Sequence, residues 1–174
     1  MINFATIGTS WITDAFIGGA KTTGKLKLSA VYSRDEEKGR RFAEKHQAEK
    51  VYTDLNALAN DKEIDAVYIA SPNVFHFEQS KLMLKNGKHV ICEKPITVEP
   101  EELEELQALA DEKGLIYVEA IMYMFNPARN LLKDAVSRIG RITSAHFDFS
   151  QLSSKYPAYL RGELPNIFNP KFAT

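Results

Sequence analysis

Short runs of consecutive apolar residues constrain this chain most. In Ala66–Ala70 every position is apolar (Ala66, Val67, Tyr68, Ile69, Ala70). A strand with one wet face would alternate; an unbroken run suits a strand buried on both faces, as in a parallel sheet covered by helices. Similar β-rich runs occupy Ile2–Ile7, Leu26–Tyr32, His89–Cys92 and Ile116–Glu119, and the short Val51–Tyr52 adds one more. Helical stretches separate them. From Asp35 to His46, Phe42 and Ala43 face one way, with Glu36, Lys38, Arg41 and Lys45 facing out. Leu55 and Leu58 make a short stripe in Thr53–Ala59. Phe77, Leu82 and Leu84 make another in Val74–Asn86, which Gly87 ends as a C-cap. Leu103, Leu106, Leu109 and Ala110 recur between Pro100 and Lys113, with Pro100, Glu101 and Glu102 at the start and Gly114 at the stop. Strand–helix alternation with short connections predicts right-handed crossovers and an α/β fold, a doubly wound parallel sheet of about six strands.

The pattern changes after Glu119. Ala120–Pro127 is rich in Met and aromatics without a clean period. A helix is expected over Ala128–Arg138, with Leu131, Leu132 and Val136 inward. Arg141–Gln151 alternates, which predicts a half-exposed strand with Phe147 and Phe149 on its buried face. The tail carries Pro157, Pro165 and Pro170 and no period. The expected organisation is a first domain over 1–120 and the beginning of a second α/β domain over 121–174. The latter is too small to bury a core of its own, so the chain is expected to stop inside it.

Composition excludes several classes. The formal net charge of −1 lacks the basic excess of a nucleic-acid binder. No apolar run reaches the roughly 18 residues of a membrane span, and the N-terminus has no signal-peptide pattern. The one cysteine, Cys92, allows no internal disulfide and reads as a small buried apolar residue. A cytoplasmic protein is expected.

The chemistry-bearing residues lie just past the strands. The first run leads into Gly8-Thr9-Ser10-Trp11-Ile12-Thr13. A dinucleotide site needs a tight turn here, so that pyrophosphate reaches backbone N–H groups at a helix N-terminus. Of the G-x-G-x-x-G/A fingerprint only Gly8 survives, with Ser10 and Thr13 in place of the other two. An ordinary strand–turn–helix with Thr9 or Ser10 as N-cap reads equally well from this loop alone. At the end of the second strand, about 20 residues on, an NAD site places a carboxylate. Here stand Ser33 and Arg34, suited to a 2′-phosphate or, for Arg34, to stacking on adenine. The plainer alternative is a solvated Arg34 with Asp35 capping the next helix.

The fourth strand ends in Ser71-Pro72-Asn73, with His76 in the following turn. Pro72 can fix the turn and Asn73 can cap; a lone histidine is more often a satisfied structural residue than a catalyst. His46 and His89 fit surface or strand positions, and no spacing suggests a metal site. The fifth strand ends in Glu93-Lys94-Pro95, which aims a lysine at the sheet edge where such folds bind ligands, as a candidate proton shuttle.

Ile69-Ala70-Ser71-Pro72-Asn73 through His76, Gly87-Lys88-His89-Val90 and Glu93-Lys94-Pro95 together resemble the Gfo/Idh/MocA family, and Glu119-Ala120 with Asn126-Pro127 resemble its branch of dimeric dihydrodiol dehydrogenases. The resemblance runs from Met1 to about Ser150. It implies a Rossmann domain followed by an α/β substrate and oligomerisation domain, hence a homo-oligomer (dimer or tetramer). It implies hydride transfer between NADP(H) or NAD(H) and a hydroxyl or carbonyl carbon of a sugar- or polyol-like molecule; Ser33-Arg34 in place of an acidic strand end predicts that NADP(H) binds at least as well as NAD(H). The implied cofactor contacts are Gly8 to Ile12, Ser33, Arg34, Ser71, Pro72, Asn73, His76, Glu93 and Lys94. Lys94 is the implied catalytic residue, and the Lys94–Pro95 bond is implied to be cis. The family's second catalytic element, an Asp with a His or Tyr, is expected beyond Thr174, so this piece alone is expected to be nearly inactive. A non-catalytic nucleotide sensor is the alternative, and a domain binding no nucleotide a third; a sensor has no need of Lys94.

Overall fold

The structure, a computed structural model, describes residues 1–164. Its strands are β1 (Ile2–Ile7), β2 (Leu26–Tyr32), β3 (Lys50–Tyr52), β4 (Ala66–Ile69), β5 (His89–Cys92) and β6 (Tyr117–Glu119). They form one sheet in the order β3-β2-β1-β4-β5-β6, with every neighbouring pair parallel. The order reverses between β1 and β4, so the crevice of a doubly wound sheet opens there, at the carboxyl ends of the strands.

Alternate strand residues build two cores. On one face Ala5, Ile7, Val67, Ile69, Val90 and Cys92 pack against Leu58, Met83, Leu84, Leu106 and Ala110 from the helices α3 (Leu55–Asn60), α4 (His76–Lys85) and α5 (Pro100–Lys113). On the other, Phe4, Leu28 and Val31 meet Ile17, Ala20, Phe42 and Ala43 from α1 (Trp11–Thr22) and α2 (Glu36–His46). Each fully buried Leu or Ile contributes about 1.5–3 kcal/mol. Cover on both faces is why the strands read as unbroken apolar runs.

Details differ from the sequence expectation where packing decides. The helix expected over Val74–Asn86 begins with a 3-10 turn, Asn73–Phe75, before α4. Its buried face is His76, Gln79, Ser80, Met83 and Leu84, while Phe77 and Leu82 are only partly covered. Leu103, expected inward, is exposed, as is Ile116, which falls before β6.

Among the described residues, those from Ile121 to Leu164 belong to a second compact unit. A 3-10 turn, Met122–Phe125, is followed by α6 (Ala128–Arg138) and the short α7 (Tyr156–Leu160), which takes in Pro157. Arg141–Gln151 is not the expected strand, and the aromatics expected on its buried face are 91% (Phe147) and 94% (Phe149) exposed. The physical reason is that a strand needs a neighbour for its backbone N–H and C=O groups, and among the described residues none pairs with this segment. Leu131, Leu132 and Val136, expected inward, are exposed as well. Pro165 and Pro170 lie outside the described residues.

Candidate functional site

The segments that leave β1, β2, β4 and β5 at their carboxyl ends carry the site. After β1, Gly8 takes φ +110°, and a Cβ there would lie 2.5 Å from the Ala70 carbonyl oxygen, so backbone would have to move for any other residue. The chain then turns into α1 with Ser10 at the N-cap in extended conformation, its side chain making no capping hydrogen bond. The first-turn amides of Trp11, Ile12 and Thr13 have no carbonyl within the helix, at the positive end of its dipole. The nearby carboxylate of Asp14 is engaged elsewhere: it accepts from Lys45 at 2.8 Å and lies 2.6 Å from the His46 ring, and these two partners hold its pKa below the usual value.

After β2, the buried Ser33 hydroxyl accepts the Asp35 N–H at 3.2 Å. Asp35 caps α2 by accepting from the Lys38 amide at 3.0 Å, in line with the plainer alternative for this stretch. Arg34 between them is exposed, with no carboxylate within ion-pair distance among the described residues. Its guanidinium lies over the Phe75 ring, 5.6 Å from the centroid.

After β4, Ser71 donates to Gln79 at 2.6 Å and the Phe75 amide closes a turn on the Pro72 carbonyl at 2.9 Å. Asn73 is buried in that turn. His76 is fully buried, with one ring nitrogen 2.8 Å from the Ser71 carbonyl and the other 2.7 Å from the Pro95 carbonyl. The ring stands between these two carbonyls and, as a neutral imidazole, donates its one N–H to either, which gives His76 a bracing role between the loop after β4 and the turn after β5.

That turn is held from several sides. The Glu93 amide donates to Ile69 at 2.8 Å and the Ile96 amide to Glu119 at 2.9 Å, the latter carboxylate coming from the end of β6. Tyr68, inside β4, donates its phenol to Glu93 at 2.5 Å, and its ring stacks on Phe16 of α1 at 3.8 Å. Burial, and then the Glu93 carboxylate, push the phenol's pKa up, so Tyr68 acts as the donor. The Lys94–Pro95 peptide is cis. Lys94 is exposed and in no ion pair among the described residues. Cys92 is buried, and its thiol is pushed up to about 12 by burial, which keeps it neutral.

The residues singled out from sequence therefore gather at one edge of the sheet. Sequence reading missed the organising role of three residues: Tyr68, Phe75 and Glu119, the last noted only for its likeness to one branch of the family. A signal for Tyr68 exists. A tyrosine in a strand buried on both faces needs a partner, and in register with β5 it shares a face with Glu93. The opposite edge has a polar hollow lined by Asn3, Lys27, Ser29, Glu49, Lys50 and Asp65, but Lys27 and Lys50 are already paired there with carboxylates. Among the described residues no cluster of His, Cys, Asp and Glu could hold a metal ion, and no helix is long and apolar enough to cross a membrane.

A glycine turn that only glycine fits, uncapped first-turn amides behind it and a free arginine after the next strand suit the pyrophosphate and ribose of a dinucleotide. Fold and site together define a dinucleotide-binding Rossmann domain. The Gfo/Idh/MocA family, described as an oxidoreductase family with an NAD-binding Rossmann fold, matches residues 2–121, and the chain belongs to it. It is 44% identical over 173 residues to the uncharacterized oxidoreductase YgjR of Escherichia coli K12, covering 99% of this chain and 53% of that protein. It is 41% identical, with the same coverage, to the scyllo-inositol 2-dehydrogenase (NADP(+)) IolU of Bacillus subtilis 168. The crystal structure of KijD10, a 3-ketoreductase from Actinomadura kijaniata in complex with NADP and TDP-benzene, superposes with a TM-score of 0.74 at 29% identity, over 78% of this chain and 42% of that one. The chain spans about half the length of the curated relatives it matches.

Proposed function

We propose that this chain is the cofactor-binding part of a dehydrogenase or reductase that uses NADP(H) at least as well as NAD(H) and acts on a hydroxyl or carbonyl carbon of a polyol or sugar. The observation that carries the reading is Lys94: an exposed ammonium on a braced turn at the crevice, one residue past a carboxylate fixed by Tyr68. A bound nicotinamide dinucleotide supplies the hydride donor or acceptor. The Gly8–Ile12 backbone holds its pyrophosphate, Ser33 and Arg34 its adenosine 2′-phosphate, and the Ser71–Asn73 turn the wall of the crevice. Glu93 orients Lys94, whose ammonium donates to the substrate oxygen and stabilises negative charge there as the carbon changes oxidation state. It can also pass that proton on. IolU, an NADP(+)-dependent scyllo-inositol 2-dehydrogenase, and KijD10, a 3-ketoreductase solved in complex with NADP, support the cofactor preference and the substrate class. The unit from Ile121 onward is proposed to open the substrate and oligomerisation domain of a cytoplasmic homo-oligomer.

Trp11, the one tryptophan, stands 76% exposed in the first turn of α1 and reports on binding by fluorescence. Titration should give an NADP(H) affinity equal to or above that for NAD(H). A tenfold preference for NAD(H), about 1.4 kcal/mol, would overturn the role given to Ser33 and Arg34.

A further inference from the structure

We infer that Phe75 is a specificity-determining residue: its ring holds the Arg34 guanidinium in place to receive a phosphate on the adenosine 2′ position. The inference rests on the cofactor reading above and adds to it a residue from a different strand end. Arg34 follows β2 and Phe75 ends the 3-10 turn after β4, while β1 lies between β2 and β4 in the sheet. The pair therefore bridges the segments flanking the Gly8 loop, on the side where the adenosine half of a dinucleotide lies. Phe75 is half-buried and belongs to a turn fixed by the Pro72 carbonyl and by His76 beneath it, so its ring is a firm platform. At 5.6 Å from the ring centroid, the guanidinium is within cation–π range.

The neighbouring arginines show what this arrangement avoids. Arg40 and Arg41 are each paired with the glutamate four residues earlier, Glu36 and Glu37. Arg34 escapes such neutralisation because Asp35, the adjacent carboxylate, is turned into α2 as its N-cap. An arginine resting on an aromatic ring keeps its in-plane N–H groups free, and those are the groups that grip a phosphate in bidentate fashion. Holding a long, exposed side chain in place before the ligand arrives also removes part of the ordering cost of binding. An aliphatic residue at position 75 would leave Arg34 charged but unplaced.

The test compares adenosine 2′,5′-bisphosphate with 5′-AMP by titration calorimetry on the 174-residue chain. The two probes share adenine, ribose and 5′-phosphate and differ in the 2′-phosphate alone. Phe75→Leu should weaken the bisphosphate about three- to fivefold, the range of an exposed cation–π contact, and change 5′-AMP less than twofold. Phe75→Tyr keeps the platform and should preserve the wild-type ratio, so a Leu variant that fails to fold leaves the Tyr variant to decide. Arg34→Ala should abolish the difference between the probes. Equal weakening of both by Phe75→Leu would make Phe75 an adenine contact and overturn the inference. So would a Leu variant with the wild-type ratio, or a Tyr variant that loses it. If Arg34→Ala leaves the ratio unchanged, the 2′-phosphate reading itself falls, and the inference with it.

Discussion

Glu93 and Lys94 are neighbours in sequence, but their surroundings make them different tools. Glu93 is fixed by a phenol from β4, and Lys94 is left free. In turnover assays with polyols on a full-length protein that contains this chain, Lys94→Ala should lower kcat on the order of 10²-fold, the usual scale of a positioned acid–base group. The dissociation constant for NADP(H), followed through Trp11, should change far less. Near-normal kcat with lost cofactor affinity would make Lys94 a binding residue. Gly8→Ala is the sharpest test of the loop. The added methyl meets the Ala70 carbonyl and the φ of +110° disfavours any side chain, so chemical denaturation should show a loss of about 1–3 kcal/mol. Dinucleotide affinity should fall at least tenfold; an alanine variant binding as wild type would remove the loop from the site. Gly8, Arg34 and Lys94 were legible in the sequence because each comes just after a recognisable strand. Phe75 and Glu119 were not, since their roles depend on contacts between loops from different strands. Gly39 was invisible for a related reason. A glycine inside a helix looks like a defect, yet a Cβ there would press within 3.0–3.1 Å of Val51 and Ser33, so it lets α2 sit close on β2 and β3.

At the scale of elements, the loop between α3 and β4 is fastened by polar groups. Asp61 accepts from Lys50 at 2.7 Å and from the Tyr52 hydroxyl at 2.7 Å, while Lys88 donates to the Asp61 and Ile64 carbonyls. Burial pushes the Asp61 carboxyl up, but Lys50, the Glu63 amide and Tyr52 outweigh it and hold it at about 2. A carboxylate depressed in the folded state adds stability above its unfolded pKa of about 3.9 and loses it as protons bind the folded form. The chain should therefore lose on the order of 1–2 kcal/mol between pH 4 and about 2 through this group. Asp61→Asn should flatten that part of the stability-versus-pH curve; an unaltered curve would assign the acid sensitivity elsewhere. Sequence reading located the inner strands β1, β2 and β4 because burial on both faces leaves an unmistakable run, while the half-covered edge strands β3 and β6 showed only as short apolar stretches. It failed at Arg141–Gln151 because alternation describes a strand's two faces and says nothing about whether another strand lies beside it.

Over the whole molecule, the two units differ in how they meet water. Met1–Ala120 contains both apolar clusters and every candidate site residue. From Ile121 on, Met122, Phe125, Leu131, Ile139, Phe147 and Phe149 are all exposed. A fragment of residues 1–120 should fold cooperatively and bind NADP(H) within about threefold of the whole chain, about 0.7 kcal/mol. It should also bind less of a hydrophobic dye such as ANS than the whole chain does. A fragment that bound more dye, or no cofactor, would mean that the sheet needs the residues beyond Ala120 for its stability. Helices α1, α2, α4 and α5 return to the sheet through left-handed residues, Gly24, Gln47, Gly87 and Gly114, all at the edge away from the crevice. Turning and binding are thus written at opposite ends of the same strands. This division of labour gives the fold room to evolve.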